Sequence, residues 1–396
     1  MQNTKRISQD LIYVGASDRR LHLFENVYPI PFGVSYNAYV LLDEKAVLLD
    51  TCDKEVTQAF LENLQAALNG RKLDALIVNH MEPDHAANIA RVLDLYPEAE
   101  VYLTMAASKM LQQFFGAAYA SRLHAVKEGD SLSTGRHTLK FIAAPMVHWP
   151  EVMVTFDETD GVLFSADAFG TFGALNGSLF ADEEELSRFE WDEMRRYYTN
   201  IVGKYGVQVQ NLLKKAASLP IRMICPLHGP VWRENLPALL EKYDLWSRWQ
   251  GEEGVVIFCA SIYGNTLSAM ERLASLLNDK GVKHVRLYDL SAQDPSFMLA
   301  EAYRAKAVVF ASASYNAGVF IKMEELLHDL KAHDYKNHIV AYVENGTWAP
   351  SAAKTMKAIL DGQALTVVGD TLTIRSVLSD DAPLAALADA LKEALQ

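Results

Sequence analysis

His80-Met81-Glu82-Pro83-Asp84-His85 places four potential metal ligands within six residues. The motif follows the apolar run 73–78, which predicts a buried strand. It precedes residues 86–95, whose apolar spacing predicts a helix. The ligands therefore stand on a turn where a strand ends and a helix begins. Imidazole and carboxylate are donor types suited to a divalent transition metal. Grouping so many polar groups at a strand terminus costs stability unless something compensates them. Three later residues stand in the same context. His148 follows the run 142–147, Asp167 follows the strand predicted at 162–165, and His228 follows 223–227. Each lies just past an apolar strand, where loops gather at one edge of a sheet. Seven such residues are about what two metals sharing a bridging carboxylate need, with positions left open for a small substrate.

Outward from the motif, the first part of the chain mixes short strands with helices. Residues 36–42 and 45–50 read as a hairpin around Asp43-Glu44, and further strands are predicted at 101–104, 138–143 and 152–156. From Gly254 the rhythm changes. Strands at 255–259, 284–287, 307–310, 339–343 and 365–368 are interleaved with helices at 266–280, 324–331, 352–360 and 384–395. That alternation predicts a doubly wound parallel sheet. The segment Gly251-Glu252-Glu253-Gly254, after a helix predicted at 239–249, marks the junction. The expected domains are 1–250 and 254–396.

In the second part, Ser261-Ile262-Tyr263-Gly264-Asn265-Thr266 follows the first strand and opens a helix. Hydroxyls and backbone N–H groups at a helix N-terminus form a phosphate cradle. The same composition also suits a plain helix cap. No Walker lysine and no GxGxxG are present, which argues against a nucleoside triphosphate or a dinucleotide. Ser312-Ala313-Ser314-Tyr315-Asn316-Ala317-Gly318 follows the third strand and Glu344-Asn345-Gly346-Thr347-Trp348-Ala349 the fourth. In a doubly wound sheet such loops flank the ligand crevice at the carboxyl ends of the strands.

The chain has 396 residues, half of them apolar, with a net charge of −13. This predicts a globular protein and argues against nucleic acid or an anionic membrane as partner. Cys52, Cys225 and Cys259 lie far apart without CxxC spacing, so they predict neither disulfides nor a zinc knuckle. No signal peptide and no apolar stretch of membrane-spanning length are expected, which makes the cytoplasm the expected compartment.

HxExDH, then His after 62 residues, Asp after 18 more and His after 60 more, is similar to the pattern of the flavodiiron proteins, and the resemblance covers essentially the whole chain. It implies an N-terminal metallo-β-lactamase-like αββα sandwich and a C-terminal flavodoxin-like doubly wound parallel sheet. It further implies that His80, Glu82 and His148 hold one iron, that Asp84, His85 and His228 hold another, and that Asp167 bridges them. Hydrolytic relatives usually have histidine where Glu82 stands, and a carboxylate there favours iron over zinc. Trp149 would border the pocket. The loop at Ser261 resembles the flavodoxin phosphate loop, so the resemblance implies flavin mononucleotide (FMN). Its contacts would come from Ser261, Ile262, Tyr263, Gly264, Asn265, Thr266, Ser312, Ala313, Ser314, Tyr315, Asn316, Asn345, Gly346, Thr347 and Trp348, with Tyr315 and Trp348 covering the ring. The third loop departs from the commoner Ser-Tyr-Gly-Trp of the family, and an inward Glu344 would repel the anionic reduced flavin.

The implied activity is reduction of O2 to water, of NO to N2O, or of both. Electrons would pass through FMN from a donor such as rubredoxin, and the chain would form a head-to-tail homodimer or a dimer of dimers. Two other classes fit parts of the pattern: a di-zinc metallo-hydrolase fused to a flavodoxin, and an electron-transfer flavoprotein without gas reductase activity. His22, His124, His137, His284, His328, His333 and His338 lack the strand-end context of the seven and read as ordinary surface or core residues. Cys225 reads as a buried small hydrophobe.

Overall fold

A computed structural model describes residues 2–183 and 188–396. The chain divides into two compact units, one comprising residues up to Tyr198 with Val207–Tyr243, the other Thr199–Gly206 with Asp244–Gln396.

The first unit is built on two sheets. One has seven strands in the order Lys5–Arg6, Leu11–Tyr13, Tyr39–Leu42, Ala46–Leu49, Ala75–Ile77, Glu100–Thr104 and Leu123–Val126. The other has five, in the order Ser131–Ser133, Thr138–Ala143, Met153–Asp157, Val162–Phe164 and Met223–Cys225. Leu11, Tyr39, Leu41 and Val47 of the first sheet and Leu139, Phe141, Met153 and Phe164 of the second form one buried core. Two sheets sharing one apolar layer is the sandwich arrangement, and helices including Thr57–Leu68 and Met105–Phe115 cover the first sheet. The expected hairpin forms, with Leu42 opposite Ala46. The single helix expected over 86–95 is instead two, Pro83–Ala86 and Ile89–Leu95. The break falls at Asn88, whose side chain donates to the carbonyls of Cys52 and Asp53 at 2.7 and 3.2 Å. That long-range tie outweighs continued helical pairing.

The second unit is a parallel sheet in the order Val285–Asp289, Glu252–Ala260, Ala305–Tyr315, Ile339–Asn345 and Thr366–Val367. Numbered along the chain this is 2-1-3-4-5, the flavodoxin order. Residues 254–260 are buried without alternation, because both faces of the sheet are covered. Leu299, Met323 and Met356 pack on one face and Met270, Leu273 and Leu387 on the other. The rhythm of the sequence did not show the helix Pro295–Arg304, capped by Asp294. The third strand also runs further than expected, through Tyr315. Asn316 and Ala317, both with positive φ, turn it into a hairpin with Gly318–Val319. No helix among the described residues is long and apolar enough to cross a membrane.

One polar group is placed at the expense of stability in acid. His338 is fully buried, donates from Nδ1 to the Ala305 carbonyl at 2.8 Å and stacks on Tyr335 at 4.4 Å. Burial pushes its imidazole down to about 4. The folded state therefore resists a proton that the unfolded chain accepts near pH 6.5. Stability from this group is present in full above about pH 6.5 and is lost as the pH falls towards 4, up to about 3 kcal/mol. Denaturant titrations at neutral pH and at about pH 5 should show a loss of about 2 kcal/mol in the second unit that His338→Gln largely removes. An unchanged pH slope in the variant would contradict this account.

Candidate functional site

The sandwich brings the ends of its strands to one edge. Thr138–Ala143 and Val162–Phe164 both run antiparallel to the intervening Met153–Asp157, and Val162–Phe164 is parallel to Met223–Cys225. His148, Asp167 and His228 follow the carboxyl ends of those three strands, and His80 follows Ala75–Ile77 of the other sheet. All seven residues singled out from the sequence come together here, in two groups that could each hold a metal.

In the first group, His148 Nε2 lies 3.0 Å from both Glu82 Oε2 and Asp167 Oδ2. His80 Nε2 is 3.2 Å from Glu82 Oε2 and 3.4 Å from Asp167 Oδ2. In the second, His85 Nε2 and His228 Nε2 are 3.0 Å apart, with Asp84 Oδ2 at 3.4 and 3.3 Å. Asp167 Oδ1 lies 3.1 Å from His85 Nε2 and 3.7 Å from His228 Nε2. The Asp167 carboxylate thus turns one oxygen to each group. Both Asp84 oxygens and Asp167 Oδ1 are buried without a hydrogen bond among the described residues. Their short distances to imidazole lack hydrogen-bond alignment. At the second group, buried carboxylate lone pairs thus converge with imidazole nitrogens while left unsatisfied as acceptors, which fits a metal there.

Neighbours fix these side chains. His80 Nδ1–H donates to Glu151 Oε1 at 2.7 Å, and the same oxygen accepts from the Met81 N–H. His228 Nδ1–H donates to the Ser35 carbonyl at 2.7 Å. Thr51 Oγ1 donates to the His85 carbonyl, and buried Asp50 accepts from the Asn79 and His80 backbone. The outer nitrogens of His80 and His228 are thereby committed as donors, which leaves the Nε2 of each of these two free to ligate.

The electrostatics follow from burial and crowding. Burial opposes charge on His85, yet Asp84 and Asp167 hold it protonated up to about 9. His148 reaches about 9 likewise, against burial, through Asp167 and Glu82. Burial works against ionising Glu82 as well, but His148 and His80 hold its carboxyl well below the usual range. Asp50 is pushed up to about 6 by burial, despite its hydrogen bonds from Asn79 and His80. A cation entering either group must displace imidazole protons, so uptake releases protons.

Sequence reasoning missed Glu151, Asp50, Glu25 and Tyr197. Glu151 precedes Met153–Asp157, whose start lies at the same edge as the seven candidate residues, and this was the available signal. Glu25 lies close to Glu82, and burial followed by the Glu82 charge pushes its carboxyl up to about 8. It stands on the hairpin of Leu23–Phe24 and Tyr28–Pro29, whose Phe24 ring meets His228 at 5.5 Å. The Tyr197 ring lies 5.3 Å from His228. Neither has a sequence pattern that distinguishes it from other residues of its type. Trp149 stands edge-on to His80 at 5.4 Å, and Cys225 is fully buried. His137, Asp157 and Asp160 also cluster, but the Arg136 guanidinium already supplies their cation, 2.5 Å from Asp160 and 2.7 Å from His137.

The second unit has a cavity of about 290 Å³ at the carboxyl ends of its strands. Ser261, Ile262, Tyr263, Asn265, Thr266, Ala313, Ser314, Tyr315, Asn316, Asn345, Gly346, Thr347 and Trp348 line it. Ala317, Ala349, Ser351 and Ser376 join them. Gly264 and Ser312 lie outside the lining. Gly264 takes a positive φ at the head of the helix Asn265–Asp279, its N–H donating to Ser261 Oγ. Ser312 is buried and donates to the Ala313 carbonyl. That helix has no side-chain cap, so its first N–H groups face the cavity, as a phosphate requires. Tyr263 and Trp348 are 93% and 88% exposed beside it, aromatic surface that a flat ligand would cover. Glu344 does not line the cavity, so the condition for that repulsion is not met. Its carboxylate accepts from the Ala353 N–H and the Thr373 hydroxyl, both at 2.9 Å, because the helix Ala352–Ile359 needs a partner for its N-terminal amides.

Comparison with known proteins places these features in a family. Residues 34–229 match the model described as ODP family beta lactamase. The chain is 30% identical to the anaerobic nitric oxide reductase flavorubredoxin of Vibrio vulnificus, over 90% of this chain and 73% of that one. Among solved structures it is similar to the rubredoxin oxygen:oxidoreductase of Desulfovibrio gigas, with a TM-score of 0.92, 26% identity and 99% and 98% of the two chains covered. A flavoprotein from Thermotoga maritima gives a TM-score of 0.91 at 26% identity, covering 100% of this chain and 99% of that one.

Glu151→Gln should lower metal affinity about 10- to 100-fold, measured by chelator competition, with the fold intact by circular dichroism. Wild-type affinity in the variant would show that His80 needs no carboxylate behind it.

Proposed function

The chain belongs to the flavodiiron family and is an oxidoreductase, and from that premise we propose that it reduces dioxygen, nitric oxide or both at a non-haem di-iron centre, with FMN as the entry point for electrons. The observation that carries this reading is Asp167, with one oxygen turned to each of two ligand groups. His80, Glu82 and His148 would hold one iron and Asp84, His85 and His228 the other. When bound, the two irons and the flavin together supply the several electrons that turn O2 into water or couple two NO molecules into N2O. The carboxylates Glu82, Asp84 and Asp167 make the site hard, which favours iron over zinc and counts against a di-zinc hydrolase.

The residues here do four things. The carboxylates and imidazoles hold charge at fixed positions, so little reorganisation accompanies redox change. The outer contacts from Glu151 and Ser35 keep the Nε2 of His80 and of His228 aimed inward. Glu82 and Asp84 keep a small exposure, 8% and 9%, whereas His80, His85, Asp167 and His228 are sealed. In the second unit, the amides at Asn265 and Thr266 would take the FMN phosphate, and Tyr315 and Trp348 would flank the ring.

No CxxC occurs within these 396 residues, and the reading includes an electron donor, rubredoxin or a similar carrier, that feeds the FMN. It also includes a head-to-tail homodimer and a cytoplasmic setting. Iron and FMN should be quantified after reconstitution, and the anaerobically reduced protein exposed separately to O2 and to NO. Near-stoichiometric FMN, about two irons per chain and rapid reoxidation by at least one gas are expected. Fewer than about one iron per chain, or a reduced protein inert to both gases, would overturn the reading.

A further inference from the structure

The first unit contains another cavity, of about 290 Å³, that none of the residues above uses. Its wall carries two cations, Lys5 and Arg19, and no carboxylate among the described residues. In a chain of net charge −13 this is an uncommon local balance.

The two cations reach one segment of chain. Lys5 Nζ donates to the Gly177 carbonyl at 2.6 Å, and Arg19 donates to the Leu175 carbonyl at 2.6 Å, two residues away on the same segment. Arg19 also reaches Asn176 Oδ1 at 3.1 Å, and Glu183 stands 3.7 Å from Lys5 outside the lining. These contacts leave donors over, because an ammonium carries three N–H groups and a guanidinium five.

Tyr13 supplies the second, independent observation. It is 4% exposed, yet its hydroxyl makes no hydrogen bond with any described residue. A Cβ on Gly15 would lie 2.7 Å from that hydroxyl, so the tip of the tyrosine lies against Gly15, and both residues line the cavity. Gly15 itself is fixed, since its carbonyl accepts from Asn63 Nδ2 at 2.9 Å. Ser17 Oγ, which accepts from the Leu175 N–H at 3.2 Å, keeps its own proton to donate. The wall is therefore rich in donors and poor in acceptors.

We propose that this cavity binds a small organic anion, recognised through a carboxylate or phosphate group by Lys5, Arg19 and the Tyr13 hydroxyl. A planar guanidinium, a mobile ammonium and a neutral hydroxyl can together saturate the oxygens of one such group. The site stands apart from the metal reading and does not depend on it.

Calorimetric titration of the full chain at low ionic strength, with inorganic phosphate in one arm and succinate in the other, tests the assignment and separates the two headgroups. At least one should bind with a dissociation constant of about 1 mM or tighter. Tyr13→Phe should weaken it about tenfold, and Arg19→Met by roughly ten- to a hundredfold. Tyr13→Phe removes no hydrogen bond within the protein, so it carries the test if Arg19→Met fails to fold. Absence of binding in both arms would overturn the proposal. So would unchanged affinity in Tyr13→Phe, or in a folded Arg19→Met, because the anion would then be a surface counterion only.

Discussion

A single buried carboxylate organises the first unit. Asp167 is fully enclosed and presents its two oxygens to two different groups of imidazole and carboxylate. An arrangement of this kind is expensive on its own, because ionised groups removed from water need compensation on every side. The sandwich provides it by fixing the approach of each partner. Strand ends deliver His80, His148 and His228, while Glu151 and the Ser35 carbonyl hold the outer imidazole nitrogens. The two-sheet core sets where those strand ends lie, so the packing of Phe141, Met153 and Phe164 is part of the site's geometry.

The second unit solves a different problem with backbone alone. A parallel sheet buried on both faces can be tightly packed and still leave its carboxyl-terminal loops free to form a cavity. The uncapped start of Asn265–Asp279 and the exposed rings of Tyr263 and Trp348 make sense as parts of a ligand site, and as structural features alone they would be liabilities. Glu344 shows how a loop can change without disturbing that cavity. Its carboxylate serves the helix Ala352–Ile359, so its charge is already engaged by donors there.

Much of this was legible in the sequence, for physical reasons. Candidate ligands that follow apolar strands are readable because strand ends are local features, and the spacing from His85 to His148, Asp167 and His228 records where the strands stop. The alternating rhythm after Gly254 was readable because βαβ units are themselves local. What was not legible depended on distant partners. The helix break at Asn88 is made by the carbonyls of Cys52 and Asp53, and Glu151 matters only because folding sets it against His80. Glu25 meets Glu82 across a gap of more than fifty residues, and no periodicity reports such a meeting. The outward turn of Glu344 likewise depends on Ala353 and Thr373.

The central claim is that Asp167 joins two metals into one centre. Mössbauer spectroscopy of the iron-loaded, oxidised chain tests it most directly. The account predicts two iron sites in equal amount, coupled through their bridge into a diamagnetic ground state. Magnetically isolated high-spin ferric iron, with one group of ligands filled independently of the other, would contradict it.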